Sequence, residues 1–139
     1  MKENFKILTE FVKDSSSETS DVQTYLFVKD NISKYHLNIN IASKPLKNKL
    51  IEVNTTFKFE DKEPSEKKSH FEMTYVSIVK IDEEVKTEDL KKILLCDVQN
   101  KIYSNLEKIF LNMLHDSGFP EVKFDKKVDF NKLYNEQSS

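Results

Sequence analysis

Three histidines, three consecutive serines, one cysteine and a run of three acids are the side chains of this 139-residue chain best suited to act as ligands, nucleophiles or proton carriers. Their spacing assembles none of them into a reaction centre. His36, His70 and His115 fall on three different expected elements, with no His-x-x-x-His and no cysteine pair at metal-ligand spacing, so they read as surface or boundary residues. Ser15, Ser16 and Ser17 follow a strand pattern and lack the Gly-x-Ser-x-Gly elbow that would activate a hydroxyl, which makes them turn residues. Asp82, Glu83 and Glu84 stand just ahead of a helix start, where adjacent carboxylates are solvated and favoured by the positive helix end. Cys96 has no partner for an intrachain disulfide and lies beside an apolar helical stripe, as a small core residue does. With Gly118 the only glycine, a Gly-rich phosphate loop is excluded. The expectation is a chain with no catalytic residue, no metal and no cofactor, not an enzyme, whose function is binding.

Composition narrows what is bound. Lys+Arg 22 against Asp+Glu 24 gives a formal net charge of -2, too little field for nucleic acid, and no apolar run is long enough to span a bilayer. Met1 to Glu10 offers neither a signal-peptide apolar run nor a small-residue cleavage site, so a cytoplasmic location is expected.

The element that must position everything else runs from Thr87 to Pro120. Thr87 is placed as N-cap, Glu88 and Asp89 sit in the first turn, and Gly118 supplies the left-handed stop before Phe119-Pro120. Between them Leu90, Ile93, Leu94, Val98, Ile102, Leu106, Ile109, Phe110, Met113 and Leu114 recur at three- and four-residue spacing, a continuous apolar stripe that something must cover. Strand patterns precede it. Phe5 to Thr19 is the first; Tyr35, Leu37, Ile39 and Ile41 alternate with polar residues in the second; Ile51 to Phe59 alternates after the Pro45 and Lys47-Asn48-Lys49 turn; and Phe71 to Ile81 follows a charged turn holding Pro64. Asp129 caps a final short helix bearing Phe130, Leu133 and Tyr134. The expected architecture is α+β, a four-stranded antiparallel sheet packed on one long helix plus a short C-terminal helix, as a single domain over 1–139.

Two regions are candidates for binding. Val22, Tyr25, Leu26, Phe27 and Val28 crowd into what otherwise reads as a connection without clear period. With Phe130, Leu133 and Tyr134 they either close the open end of the core or line a groove for extended apolar segments of another chain. Binding near 1 μM requires about -8 kcal/mol after ordering costs, hence several apolar side chains per ligand, and this cluster has enough. The second region is the polar face of the sheet, where Asp14, Glu18, Glu52, Glu60 and Glu72 share the outward parity of their strands.

Phe11-Val12-Lys13-Asp14-Ser15-Ser16-Ser17-Glu18 resembles the first-strand signature of the SecB family of bacterial protein-export chaperones. Gly118-Phe119-Pro120 followed by Val128-Asp129-Phe130-Asn131-Lys132-Leu133-Tyr134 is similar to that family's Phe-Pro, Val-Asn-Phe and Leu-Tyr ending. The resemblance implies a four-stranded antiparallel sheet with two helices, assembled as a tetramer, a dimer of dimers in which the long helices meet. Val98, Ile102, Leu106 and Ile109 are then the expected interface. It implies a holdase that keeps precursor proteins unfolded and passes them to the export ATPase SecA without consuming nucleotide. Val22, Tyr25, Leu26, Phe27, Phe130, Leu133 and Tyr134 would line the client groove, and Asp14, Glu18 and Glu72 would receive the motor. The sequence departs from the family at Ser17, where Phe is usual, at Val76-Ser77, which replace paired small residues, and at Asp97, where Pro is usual. Two other readings stand beside this one. One is a SecB-like chaperone dedicated to a single client such as an antitoxin, without motor contact; the other is a non-chaperone module in which Tyr25, Phe27 and Tyr134 are plain core.

Overall fold

The alternation of apolar and polar residues along 35–81 builds three long strands, and a fourth comes from the N-terminal stretch. The computed structural model describes residues 4–63, 65–124 and 128–138. Pro64 of the expected charged turn, Asp125, and the terminal positions Met1–Glu3 and Ser139 lie outside them. Strands β1 (Phe5–Glu18), β2 (Tyr35–Pro45), β3 (Leu50–Asp61) and β4 (His70–Ile81) form one antiparallel sheet in the order β1-β4-β3-β2. β2, β3 and β4 are the expected meander, and β1 pairs with β4, so β1 and β2 are the two edges.

Register fixes which side chains face inward. Val53, Thr55, Phe57 and Phe59 of β3 lie opposite Ser77, Tyr75, Met73 and Phe71 of β4, and all eight are buried. β1 keeps step with them only by two irregularities, at Leu8 and Lys13, each of which leaves one residue unpaired and resets the parity. Ser17, opposite Phe71, therefore points inward, and its Oγ lies 2.6 Å from that of Ser117 at the end of the long helix. Where the family usually has an aromatic, this chain has a hydroxyl pair.

The long helix is an uninterrupted run in three parts: α2 (Thr87–Lys92), a π-helical turn over Ile93–Asp97, and α3 (Val98–Asp116). Lys86, not Thr87, is the N-cap, and Thr87 is already helical. The π turn lets Ile93, Leu94, Cys96 and Val98 all reach the interior, which a strict 3.6-residue period does not allow. Val98, Ile102, Leu106, Phe110 and Leu114 then continue along the sheet, with the Phe57 and Phe110 rings edge-on at 5.5 Å. Gln99 is buried among them, its amide satisfied by the Thr55 hydroxyl at 2.9 Å.

The connection between β1 and β2 is a helix, α1 (Val22–Asp30), where the sequence pattern suggested a loop. Asp21 caps it by accepting the Thr24 N–H at 2.7 Å. Its period was masked because only Thr24 and Val28 are fully buried while Val22, Leu26 and Phe27 point to solvent, leaving apolar residues on several sides. The last helix, α4 (Phe130–Ser138), is capped by Asp129 as expected, the Lys132 N–H donating to its carboxylate at 3.1 Å. α4 packs against the π turn, where the Cys96 thiol donates to the Phe130 carbonyl at 3.3 Å and burial pushes its pKa up.

Candidate functional site

An edge strand whose inner face is apolar needs a neighbour, and β2 has one only on its β3 side. Leu37, Ile39 and Ile41 project toward the helix layer but stay half-buried, because the helices lean on them without closing over them. Three adjoining cavities follow this row. The largest, about 990 Å³, is bounded by Ile32, Leu37 and Ile39 on one wall and by Val122, Phe124 and Leu133 on the other. The second, about 460 Å³, lies between Ile41 with Ser43 and Leu90, Leu94 and Leu95 of the long helix. The third, about 260 Å³, continues past Pro45 and Leu46 to Val85 and Leu90. The second and third share Thr87 and Leu90, the first ends at Ile39 and the second begins at Ile41, the next inward residue of β2, and the three together are called the trough.

The lining of the trough is mostly apolar. Among the described residues its ionisable lining groups are Tyr35, His36, Glu121 and Lys123 at one end and Lys49, Lys86 and Lys91 at the other, and no nucleophile–base pair occurs among them. Among the described residues no cluster of three or more His, Cys, Asp or Glu can hold a metal, and no helix is long and apolar enough to cross a membrane. The raised tyrosine pKa values belong to structural groups. Burial lifts Tyr35, which accepts the Ser69 N–H at 3.2 Å, and lifts Tyr75, which donates to Glu10 at 2.8 Å. What the site can do is hold an extended apolar segment, side chains in successive pockets and backbone against the free β2 edge.

Over residues 1–139 the sequence matches the profile of the family described as preprotein translocase subunit SecB. The chain belongs to the SecB family. It is 57% identical to the putative protein-export protein SecB of Pelagibacter ubique, over the full length of both chains. It is also 22% identical to the protein-export protein SecB of Mesorhizobium japonicum, over 96% of this chain and 79% of that one. In fold it is similar to the Mycobacterium tuberculosis SecB-like chaperone Rv1957, solved with a peptide from the HigA1 antitoxin. The TM-score is 0.64 at 7% identity, covering 89% of this chain and 91% of that one. The SecB-like architecture expected from the sequence is the one observed, and SecB-family chaperones are not enzymes.

Against the SecB-family expectations the candidate residues separate. Of the proposed groove set, Leu133 lines the trough. Val22, Leu26 and Phe27 are exposed on α1, outside the three cavities, and Tyr134 is half-buried on α4. Tyr25 and Phe130 are structural. The Tyr25 hydroxyl donates to the Gly118 carbonyl at 2.6 Å with its ring 5.2 Å from Phe119, and Phe130 is buried against Tyr103. Of the proposed interface set, Val98, Ile102 and Leu106 are enclosed by this chain's own sheet, so a rigid subunit cannot present them to another; Ile109 is half-buried. Asp14, Glu18 and Glu72 do share the outer sheet face, on adjacent strands β1 and β4. Glu72 is engaged there, 3.3 Å from Lys58 and 3.8 Å from His70.

Sequence reading missed two features. The trough walls come from Ile32, which no pattern singled out, and from Leu37, Ile39, Ile41 and Leu90, whose alternation and periodicity named a half-buried strand and the helical stripe but no cavity between them. Leu8, Phe11 and Val12 of β1 are exposed at 46%, 47% and 38%. The signal for them was the aromatic-Val pair on a first strand, obscured by the two parity resets.

Proposed function

We propose that this SecB-family chain, a chaperone for protein export, holds extended apolar segments of unfolded clients in the trough along β2. The observation that carries this reading is the regular, unbulged edge strand with cavities on its apolar side. A client strand added to that edge gains main-chain hydrogen bonds while its alternate side chains enter the pockets. Capture is reversible because each pocket stays open to solvent on one side.

The finer parts of the reading follow from the same supports. The subunit works as one unit and associates through β1, whose exposed Leu8, Phe11 and Val12 on an edge strand favour pairing with a second copy. A further pairing of dimers makes a tetramer whose several troughs give avidity for one long client. Asp14 and Glu18 on the outer face are the side chains offered to a SecA-type export ATPase in the cytoplasm, while Glu72 is already paired by Lys58.

Light scattering of the purified protein, alone and with a reduced, unfolded model client, tests the core of this proposal. A tetramer-sized species that keeps the client from aggregating is expected; a monomer that leaves it to aggregate overturns the reading. Asp14→Lys with Glu18→Lys should abolish motor binding and leave client capture intact, measured by co-sedimentation with the ATPase.

A further inference from the structure

The closure of the β2–β3 hairpin decides which backbone groups of β2 are left free. The Leu46 N–H donates to the Leu50 carbonyl at 2.8 Å, so this pair is hydrogen-bonded, and bonded and non-bonded pairs alternate along an antiparallel ladder. The register runs from Pro45↔Ile51 to Tyr35↔Asp61 without a shift, so the alternation holds along the whole strand. Lys44, Ala42, Asn40, Asn38 and His36 therefore turn their N–H and C=O groups toward β3, whereas Ser43, Ile41, Ile39 and Leu37 turn theirs toward the open edge. Pro45 fits this parity, because a proline in an edge strand sits where the missing N–H would face away from the ladder. At the other end the Tyr35 N–H donates to the Ile32 carbonyl and closes the preceding turn. Among the described residues no backbone hydrogen bond outside the β2–β3 pairing reaches the stretch between them. The free donors thus run from Leu37 to Ser43, bounded by a proline on one side and a used amide on the other. The same residues line the cavities, Leu37 and Ile39 the first, Ile41 and Ser43 the second.

We infer that the trough reads its client through the backbone: an extended segment pairs antiparallel with Leu37, Ile39, Ile41 and Ser43, and proline is refused at the client positions whose side chains enter the cavities and admitted at those between. This rests on the client-holding reading of the trough and adds the rule by which a segment qualifies. In an antiparallel pair, residues directly opposite one another share a face of the sheet, and where their backbone groups meet they exchange both hydrogen bonds. A client residue opposite Ile39 thus points its side chain inward and bonds Ile39 with its own N–H and C=O. Its neighbours point outward and turn their backbone groups to solvent, where a missing N–H loses no bond. Parallel addition reverses the rule, because each β2 residue then bonds the two neighbours of the residue opposite it. Antiparallel bonds are the better aligned of the two, and every other pairing in this sheet is antiparallel. The rule constrains the client backbone and leaves the identity of its side chains open.

The test uses the full chain and a fluorescent peptide of about nine residues, enough to span Leu37 to Ser43 with a residue beyond each end. Leucine alternates with serine along it, so that the leucines take the cavities and fix the parity. The amide nitrogen of each residue in turn is replaced by an ester oxygen, which removes the N–H and keeps the side chain. Anisotropy should show binding about fivefold weaker for an ester at each central leucine and unchanged for an ester at each serine. Proline should follow the same alternation. On the protein side, Ser43→Pro removes one free amide without touching the β2–β3 ladder, and it should bind the unmodified peptide about fivefold more weakly than Ser43→Ala, which keeps that amide. Sensitivity at the serine amides, or at neither set, overturns the inference while leaving the holdase reading standing. No binding of the unmodified peptide, while a reduced, unfolded model client still binds, overturns it likewise; binding of neither overturns both. If Ser43→Pro does not fold, the ester pattern on the unaltered chain decides.

Discussion

The two edges of the sheet have the same hydrogen-bonding potential and opposite surroundings. β2 runs its 11 residues without a register shift, so its apolar side chains all face the helix layer and meet three cavities. β1 shifts twice, at Leu8 and Lys13, so its apolar residues are spread over both faces: Val12 stays on the inner side and Phe11 on the outer. A regular edge beside a trough suits a passing chain of variable sequence, because every second side chain finds a pocket. An irregular edge with protruding apolar groups suits one complementary surface, and a second copy of itself is the simplest. On the proposed division of the two edges, what would distinguish a promiscuous edge from a specific one is parity, set by single unpaired residues.

The sharpest way to break that contrast is to charge the β2 row. Leu37→Asp with Ile39→Asp should weaken client capture by about 4 kcal/mol, seen by anisotropy of a labelled unfolded client, with the assembly size unaltered in light scattering. Leu8→Asp with Phe11→Asp should do the reverse. Association should fall by about 3 kcal/mol per interface and the light-scattering mass should drop, while a short peptide still binds a single trough. If the β1 variant loses peptide binding while keeping its mass, the division of labour between the edges is wrong.

Substitutions at the pin between α1 and the end of α3 should affect stability alone. Gly118 has φ 103, and a Cβ there would sit 2.6 Å from the Tyr25 ring, so Gly118→Ala should cost about 2 kcal/mol in thermal melts. Tyr25→Phe removes only the hydrogen bond to the Gly118 carbonyl and should cost about 1 kcal/mol. The smallest effect concerns acid. Hydrogen bonds from the Thr24 side chain and then its backbone hold the Asp21 carboxyl below its ordinary value of 3.8. A lowered folded value means the cap contributes fully above the unfolded value and is lost as pH falls through the folded one. α1 should fray only in that acid window, by far-UV circular dichroism, and Asp21→Asn should remove the dependence.

The fold was legible because its signals are local. Alternation over Leu37 to Ile41 and over Val53 to Phe59 names the strands; the stripe from Leu90 to Leu114 names the helix that covers them; and Asp129 names the last cap. What the sequence by itself determined was the list of elements, the apolar face of each and the family signature at the two ends of the chain.

Tertiary structure decided which apolar residues are spent on the core and which remain open. Val98, Ile102 and Leu106 carry the same periodic signal as Leu90, yet the first three are sealed under the sheet while Leu90 stays half-buried and borders the trough. Tyr25 and Phe130 look like groove residues until Gly118 and Tyr103 close on them. Periodicity reports that a side chain faces inward, whereas burial depends on how far the opposing layer reaches. At β2 the helices stop short of covering the edge, and that distance is set by the packing of the whole chain.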